Sequence, residues 1–243
     1  MIGGLPIRAL WHEAPDLLEF EAGVLDAQPG RVRLSRSAFY PGGGGQPADR
    51  GVLRWAGGEV RVVRIEADGE TVWHVLAEPV LIETSVLGVV DALFRRQMCQ
   101  LHTDLHIVNA LAFQAFDGAL VTGAQIGDDG TARIDLDLPG ADSDRVRALE
   151  PAINDAIRQD LIVGQLYVPA EAATAERGLL RSRSVSPPPQ ADGTIRVIEI
   201  AGLDRQACGG THLSSTGQSP PVRILKVDNK GRHNRRIRIA LAG

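Results

Sequence analysis

The chain has 243 residues, with 26 Lys plus Arg against 30 Asp plus Glu for a formal net charge of −4 and 44% hydrophobic residues. That fits a folded protein of one large domain or two small ones and excludes a chain that is mainly disordered. Two cysteines, Cys99 and Cys208, are too few for a multi-disulfide secreted scaffold and point to a cytoplasmic home. Glu13, Asp16, Glu19 and Glu21 interrupt the stretch where a signal peptide needs an apolar core. No uncharged apolar run reaches the roughly 18 residues of a membrane helix, so neither export nor a membrane span is expected.

Residues 1–88 read as short strands (32–34, 51–55, 60–65 and 71–76), with Gly57-Gly58 and Asp68-Gly69 as hairpin turns. This part is expected to be a small β-barrel or open sheet. From Asp91 the period changes. Phe94, Met98, Leu101, Leu105, Val108, Ala112 and Ala115 recur every three or four residues, which predicts a long amphipathic helix capped by Asp91 and stopped at Gly118. The domain boundary is placed near residue 89.

Strands are expected at 119–126 and 131–136, and a helix capped at Asp142-Ser143-Asp144 runs toward Asp160 with Pro151 a kink or an interruption. A strand at 161–168, a short helix at 170–181, a stiff loop at Pro187-Pro188-Pro189 and a strand at 195–200 follow. The fold class is therefore α+β: a small N-terminal β-barrel domain, 1–88, then an α+β domain, 89–243, with helices packed on an antiparallel sheet. Residues 221–238 hold Arg223, Lys226, Lys230, Arg232, Arg235, Arg236 and Arg238 against Asp228 alone, a local +6 that leaves −10 for the rest. This strip is either a nucleic-acid contact or, because 235–240 alternates, a solvated edge strand.

Three motifs carry chemistry. His102 and His106 lie one helical turn apart on one face, so both imidazoles can converge on one ion. Thr103, not Glu, follows the first histidine, which excludes the metalloprotease motif. Cys208-Gly-Gly-Thr-His212 presents a thiolate and an imidazole from a tight loop. Together the pairs supply three imidazoles and one thiolate, a set that suits a single zinc ion better than iron or copper. Cys99 is expected in the core. Asp104, about 200° around the helix from both histidines, is expected to face solvent or a partner chain. His12, His74 and His233 have no ligand-like spacing and are read as structural or surface residues. Four glycines, Gly42 to Gly45, precede Gln46 and permit close backbone approach or anion binding, or form a plain hairpin tip; no Gly-Lys-Ser/Thr follows, so this is not a nucleotide P-loop.

The His102-x-x-x-His106 pair, the Cys208-Gly-Gly-Thr-His212 element, Gly43-Gly-Gly-Gln-Pro-Ala-Asp49 and Lys226-x-x-x-Lys230-Gly-x-x-Asn234-Arg235-Arg236 together resemble the alanyl-tRNA editing family, in order and over nearly the whole chain. The likeness is to the medium-length freestanding AlaX class and to the editing domain of alanyl-tRNA synthetase. It implies a zinc-dependent hydrolase that acts in trans on tRNA(Ala) carrying a wrong amino acid, serine first and glycine second. It implies one zinc per chain, held by His102, His106, Cys208 and His212, which are also the candidate catalytic residues. Thr122, Gln125, Gly43, Gly44 and Gln46 are the candidate substrate contacts, and Lys226, Lys230, Arg232, Arg235 and Arg236 the candidate tRNA contacts. The family commonly has a small residue where Asp104 stands. A non-catalytic zinc-stabilised tRNA-binding module, or a small-molecule ester or amide hydrolase on the same fold, is the alternative.

Overall fold

The structure, a computed structural model, describes residues 9–68, 71–183 and 187–242. Gly69, half of one expected turn, lies outside them. The chain forms two compact units: residues up to Gly43 with Pro47–Gln97, and Gly44–Gln46 with Met98–Gly243.

The first unit contains α1 (Leu10–Glu13), β1 (Glu19–Ala22), β2 (Val24–Gln28), β3 (Arg31–Leu34), β4 (Gly51–Trp55), β5 (Gly58–Asp68), β6 (Thr71–Leu76) and β7 (Val86–Val90). All seven strands pair antiparallel in the order β1-β7-β4-β5-β6-β3-β2. The two outermost strands are consecutive in the chain, so the sheet is nearly closed, and its interior is filled by Phe20, Phe39, Leu53, Val62 and Ile82. Gly57-Gly58 turns β4 into β5 as expected, with Trp55 opposite Gly58, whose φ of 143° favours glycine. Asp49, at the end of the glycine-rich motif, accepts from the Tyr40 amide at 2.6 Å and from Arg95 Nε at 3.1 Å, while Arg95 also donates to the carbonyls of Pro15 and Ala38.

Arg95 lies on α2 (Ala92–Ala115), the long helix anticipated from the sequence. Asp91 Oδ1 accepts from the Leu93 and Phe94 amides at 3.1 Å, which is an N-cap. Gly118 ends the element with φ 101° and donates to Phe113 O.

The second unit adds β8 (Leu120–Ile126), β9 (Thr131–Asp137), α3 (Ser143–Arg147), α4 (Glu150–Arg158), β10 (Val163–Pro169), α5 (Ala170–Ala175), β11 (Thr194–Ile200), β12 (Asp204–Ala207), β13 (Val222–Lys230) and β14 (Asn234–Leu241). Two antiparallel sheets result, ordered β13-β14-β9-β8 and β10-β11-β12, with α3 and α4 against β13 and α5 against β10 and β11. The α+β class holds.

Three local expectations need correction. The stretch 142–160 is two helices, because Pro151 falls in the first turn of α4, where a missing amide costs nothing. The helix expected over 170–181 stops at Ala175, and the chain then passes through Gly178 at φ 87°. The alternating segment 235–240 is not a solvated edge: β14 lies between β13 and β9, and the basic edge strand is β13.

Candidate metal centre

Residues 101–110 of α2 are ten consecutive buried positions. A helix covered on every side is normally apolar all round, yet five of these ten are polar or ionisable, so their partners decide whether the helix is stable. Those partners come from other parts of the second unit. Asn109 donates to Gln206 Oε1 at 2.9 Å, and Asp104 Oδ2 accepts from Ser219 Oγ at 2.8 Å. Asp104 is thus fully buried, against the expectation that it faces solvent or a partner. It does lie away from the histidines, but that side of the helix is covered too.

The two histidine-bearing motifs meet. Cys208 Sγ lies 3.4 Å from His102 Nε2 and 3.3 Å from His212 Nε2, and the ligand atoms of His102, His106, Cys208 and His212 all fall within 4.8 Å of one another. Tetrahedral ligands at zinc bond lengths of about 2.0–2.3 Å stand roughly 3.3–3.7 Å apart, so the two Cys208 distances match ligands on one ion, while the widest pair in the group would have to close by up to about 1 Å to share it. The remaining ring nitrogens are all engaged. His102 Nδ1 is 2.8 Å from Gln46 Oε1, His106 Nδ1 is 3.1 Å from Asp204 Oδ2, and His212 Nδ1 is 3.3 Å from Thr103 Oγ1. With Nδ1 held outward in each ring, Nε2 is left to face the centre, which is how metal-ligating imidazoles are oriented.

The loop that brings in Cys208 and His212 is braced from below. Arg196, buried on β11, donates through Nη1 to the carbonyls of Cys208 at 3.1 Å and Gly210 at 2.8 Å. Gly210 is obligatory for space: a Cβ there would collide with the His102 ring and stand 2.7 Å from Gln46 Oε1. Cys99 is buried, as expected, and its Sγ meets Thr211 Oγ1 at 3.3 Å outside the four-residue group.

The chain is similar to proteins of known name. Residues 195–238 match the family described as "Threonyl and Alanyl tRNA synthetase second additional domain", and residues 8–92 match "tRNA synthetases class II (A)". The "Alanyl-tRNA editing protein AlaX-M" of Methanosarcina mazei is 34% identical over 241 residues, covering 93% of this chain and 92% of the relative. The AlaX-M protein of Saccharolobus solfataricus is 34% identical over 223 residues, with 90% and 92% covered. The chain belongs to the alanyl-tRNA editing family. The alanine–tRNA ligase of Korarchaeum cryptofilum is 34% identical over 226 residues, and the chain spans about a quarter of that relative's length.

In this editing-family protein the cluster is electrostatically tight. Burial pushes the Cys208 thiol up, but the imidazoles of His102, His212 and His106 bring it well below a cysteine's usual value. Burial and the neighbouring His102 hold His212 well below the ordinary histidine range. Burial also disfavours a charged His106, yet Cys208 and Asp204 together lift it to about 9. A thiolate ringed by imidazoles attracts a cation and can hold one. Asp104 is raised to about 8 by burial, with the Ser219 hydrogen bond opposing.

Of the other residues singled out from sequence, Gln46 is drawn into the cluster. It accepts from the Thr211 amide at 3.0 Å and donates to Thr211 Oγ1 at 2.8 Å, besides meeting His102. Gly42 to Gly45 all have positive φ (88°, 128°, 60° and 93°), and a Cβ on Gly45 would collide with Ala124 O on β8. Thr122 Oγ1 donates to Asp135 O at 3.2 Å, and Gln125 Oε1 accepts from Arg133. Lys226, Lys230 and Arg232 are exposed, with Lys226 paired to Asp228 at 2.7 Å. Arg235 is buried with its Nε on Ala141 O, and Arg236 forms a two-pronged pair with Asp135. His12 and His74 are buried and His233 is exposed. Sequence reasoning missed Thr103, Asp204, Gln206, Arg181 and Arg196. A signal for two of these was present: Asp204, Gln206 and Cys208 alternate, and every second residue from 204 to 210 is buried.

Proposed function

We propose that this chain is a zinc-dependent hydrolase that cleaves, in trans, the ester joining a wrong amino acid to tRNA(Ala), with serine the main substrate and glycine the second. The observation that carries the reading is the convergence of His102, His106, Cys208 and His212, in a chain that matches AlaX-M proteins over 92% of their length. One zinc ion would be held by those residues; with all four bound its tetrahedron is full and it would chiefly fix the substrate's amino group or the local architecture, whereas with three bound the open position would supply a Lewis-acid centre for the ester or a water.

The chain's own residues do the rest. Gln46, Asp204 and Thr103 orient the three imidazoles, and Arg196 fixes the loop that carries Cys208 and His212. An aminoacyl ester is already activated, so positioning contributes more than strong base catalysis. Thr122 spends its hydroxyl hydrogen on Asp135 O, leaving oxygen lone pairs as acceptors for a seryl hydroxyl; the amide NH2 of Gln125 is the matching donor. A site that hydrogen-bonds this hydroxyl discriminates strongly against alanine, which leaves its polar groups unpaired. The amides of Gly43 and Gly44 are assigned to an anionic group of the tRNA end, whereas Gln46 acts through His102 and Thr211. Lys226, Lys230 and Arg232 are assigned to phosphates, with Arg235 and Arg236 shaping the sheet beneath them. The two free thiols suit a cytoplasmic setting beside the tRNA pool.

The test is deacylation of Ser-, Gly- and Ala-tRNA(Ala) by the purified chain, with its metal content measured alongside. Serine release, sparing of Ala-tRNA(Ala) and loss of activity in the Cys208→Ala, His106→Ala double variant are expected. Equal hydrolysis of the seryl and alanyl forms overturns the specificity, and tRNA binding without turnover overturns the reaction in favour of a binding module.

A further inference from the structure

The three imidazoles are steadied by an amide, a hydroxyl and a carboxylate. Only the last is charged, and it is itself held from behind. Asp204 Oδ2 lies 3.1 Å from His106 Nδ1 and 2.6 Å from Gln206 Nε2, and Oδ1 lies 2.8 Å from Arg181 Nη1. The Asp204 side chain has no exposure and the Arg181 side chain only 10%. Arg181 is fixed in turn: its Nε donates to Gly178 O at 2.7 Å, its guanidinium sits 4.2 Å from the centre of the Phe113 ring, and its carbonyl accepts from the Val121 amide at 2.7 Å. Burying a guanidinium and a carboxylate costs desolvation energy, and removing either partner would leave the other charge buried and uncompensated.

We propose that the Arg181–Asp204 pair is a positioning device for His106: Asp204 dictates that Nδ1 carries the proton and Nε2 faces the centre, and Arg181 keeps the carboxylate in register. This role rests on the zinc reading given under Proposed function. The carboxylate makes the imidazole a stronger donor to a metal than a neutral partner would. The chain Phe113–Arg181–Asp204–His106 then links a strand edge at Val121, next to the proposed substrate contact Thr122, to one ligand of the ion.

An isosteric change separates this from a packing role. Asparagine at 204 keeps the shape but loses the charge that pairs with Arg181 at 2.8 Å, and its NH2 faces a donor whether it turns to His106 or to Arg181. The full chain is titrated with zinc against a competing chelator, as wild type, Asp204→Asn, Arg181→Lys, His106→Ala and the Asp204→Asn, His106→Ala pair, and the visible spectrum of each cobalt(II)-loaded protein is recorded. The expected result is about 10–100-fold weaker zinc binding in Asp204→Asn, a smaller loss in Arg181→Lys, and a shifted cobalt spectrum in both. Asp204→Asn should cause no further loss once His106 is alanine. Unchanged affinity and spectrum in Asp204→Asn and Arg181→Lys overturn the proposal. An equal loss with and without His106 does so as well, since the effect then does not pass through that ring. A wild-type chain that binds no zinc overturns the metal reading itself.

Discussion

A methyl group at Gly210 would strike the His102 ring and crowd Gln46 Oε1, whereas one at Gly209 would meet only Pro187 Cβ at 3.8 Å. Gly210→Ala is therefore expected to lose about 1–3 kcal/mol of stability through overpacking and to bind zinc more weakly, while Gly209→Ala stays close to wild type. Urea midpoints and metal content of the two variants check this, and equal behaviour of the pair counts against so close an approach. At this scale the four-residue group is legible in the sequence because two separate pairs, each four residues apart, supply three imidazoles and a thiol that can face one point. Their supports are not legible from type alone. Gln46 reads as a substrate contact, and nothing about a glutamine says that both ends of its amide are spent on Thr211 and His102. Asp104 shows the opposite failure: its expected exposure supposes a helix buried on one side, and α2 is covered on all sides.

Among the elements, the first unit's sheet carries a titration of its own. His74 on β6 is buried in the barrel, with Nε2 2.8 Å from Ser37 Oγ, and burial lowers it from 6.5 to about 4 despite its contact with Val32 O. The folded protein thus stays neutral at His74 while the unfolded chain protonates below about 6.5, so stability is lost as pH falls from about 6.5 to about 4. The loss attributable to this group is on the order of 3 kcal/mol. Comparing urea midpoints of wild type and His74→Gln at pH 7 and pH 4.5 tests it: the variant should show the shallower fall, and parallel falls would dismiss His74 as the source. Strands β3, β4, β5 and β6 are readable because alternation and glycine turns bound them. β1, β2 and β7 are not, for separate reasons. β1 has only four residues, two of them glutamates, β2 lacks a buried alternation, and β7 is an unbroken apolar run with a glycine inside it. α5 is shorter than its Ala-rich sequence suggests because the chain leaves the helix at Glu176, which is extended (ψ 113°), before Gly178 turns left-handed.

For the molecule as a whole, a net charge of −4 conceals the basic strip at 221–238, along β13, the turn that follows it and β14. Part of that strip is spent internally, since Arg235 and Arg236 bond Ala141 O and Asp135. Lys230 and Arg232 are exposed, and replacing both with glutamine is expected to weaken tRNA binding whatever amino acid it carries. The plot of log affinity against log salt should become shallower by about 1 for each phosphate that the variant no longer neutralises. Binding measured between 50 and 200 mM salt, a range over which each neutralised phosphate accounts for about 3- to 4-fold in affinity, decides it; an unchanged slope moves the tRNA contact elsewhere. The overall α+β layout is visible in the change of period at Asp91, whereas the order of the strands is not, because pairing partners lie far apart in the chain.

The cluster of Cys208 with His102 also has a consequence for how the polypeptide comes apart. These residues are 106 positions apart in sequence, so an ion gripped by both ties off a large ring of backbone, much as a cross-link would, and withdraws conformational freedom from the denatured chain. If the group holds an ion as proposed, stripping it would release that tether at one stroke, and the melting temperature of the second unit would become a property of the surrounding metal buffer as much as of the polypeptide.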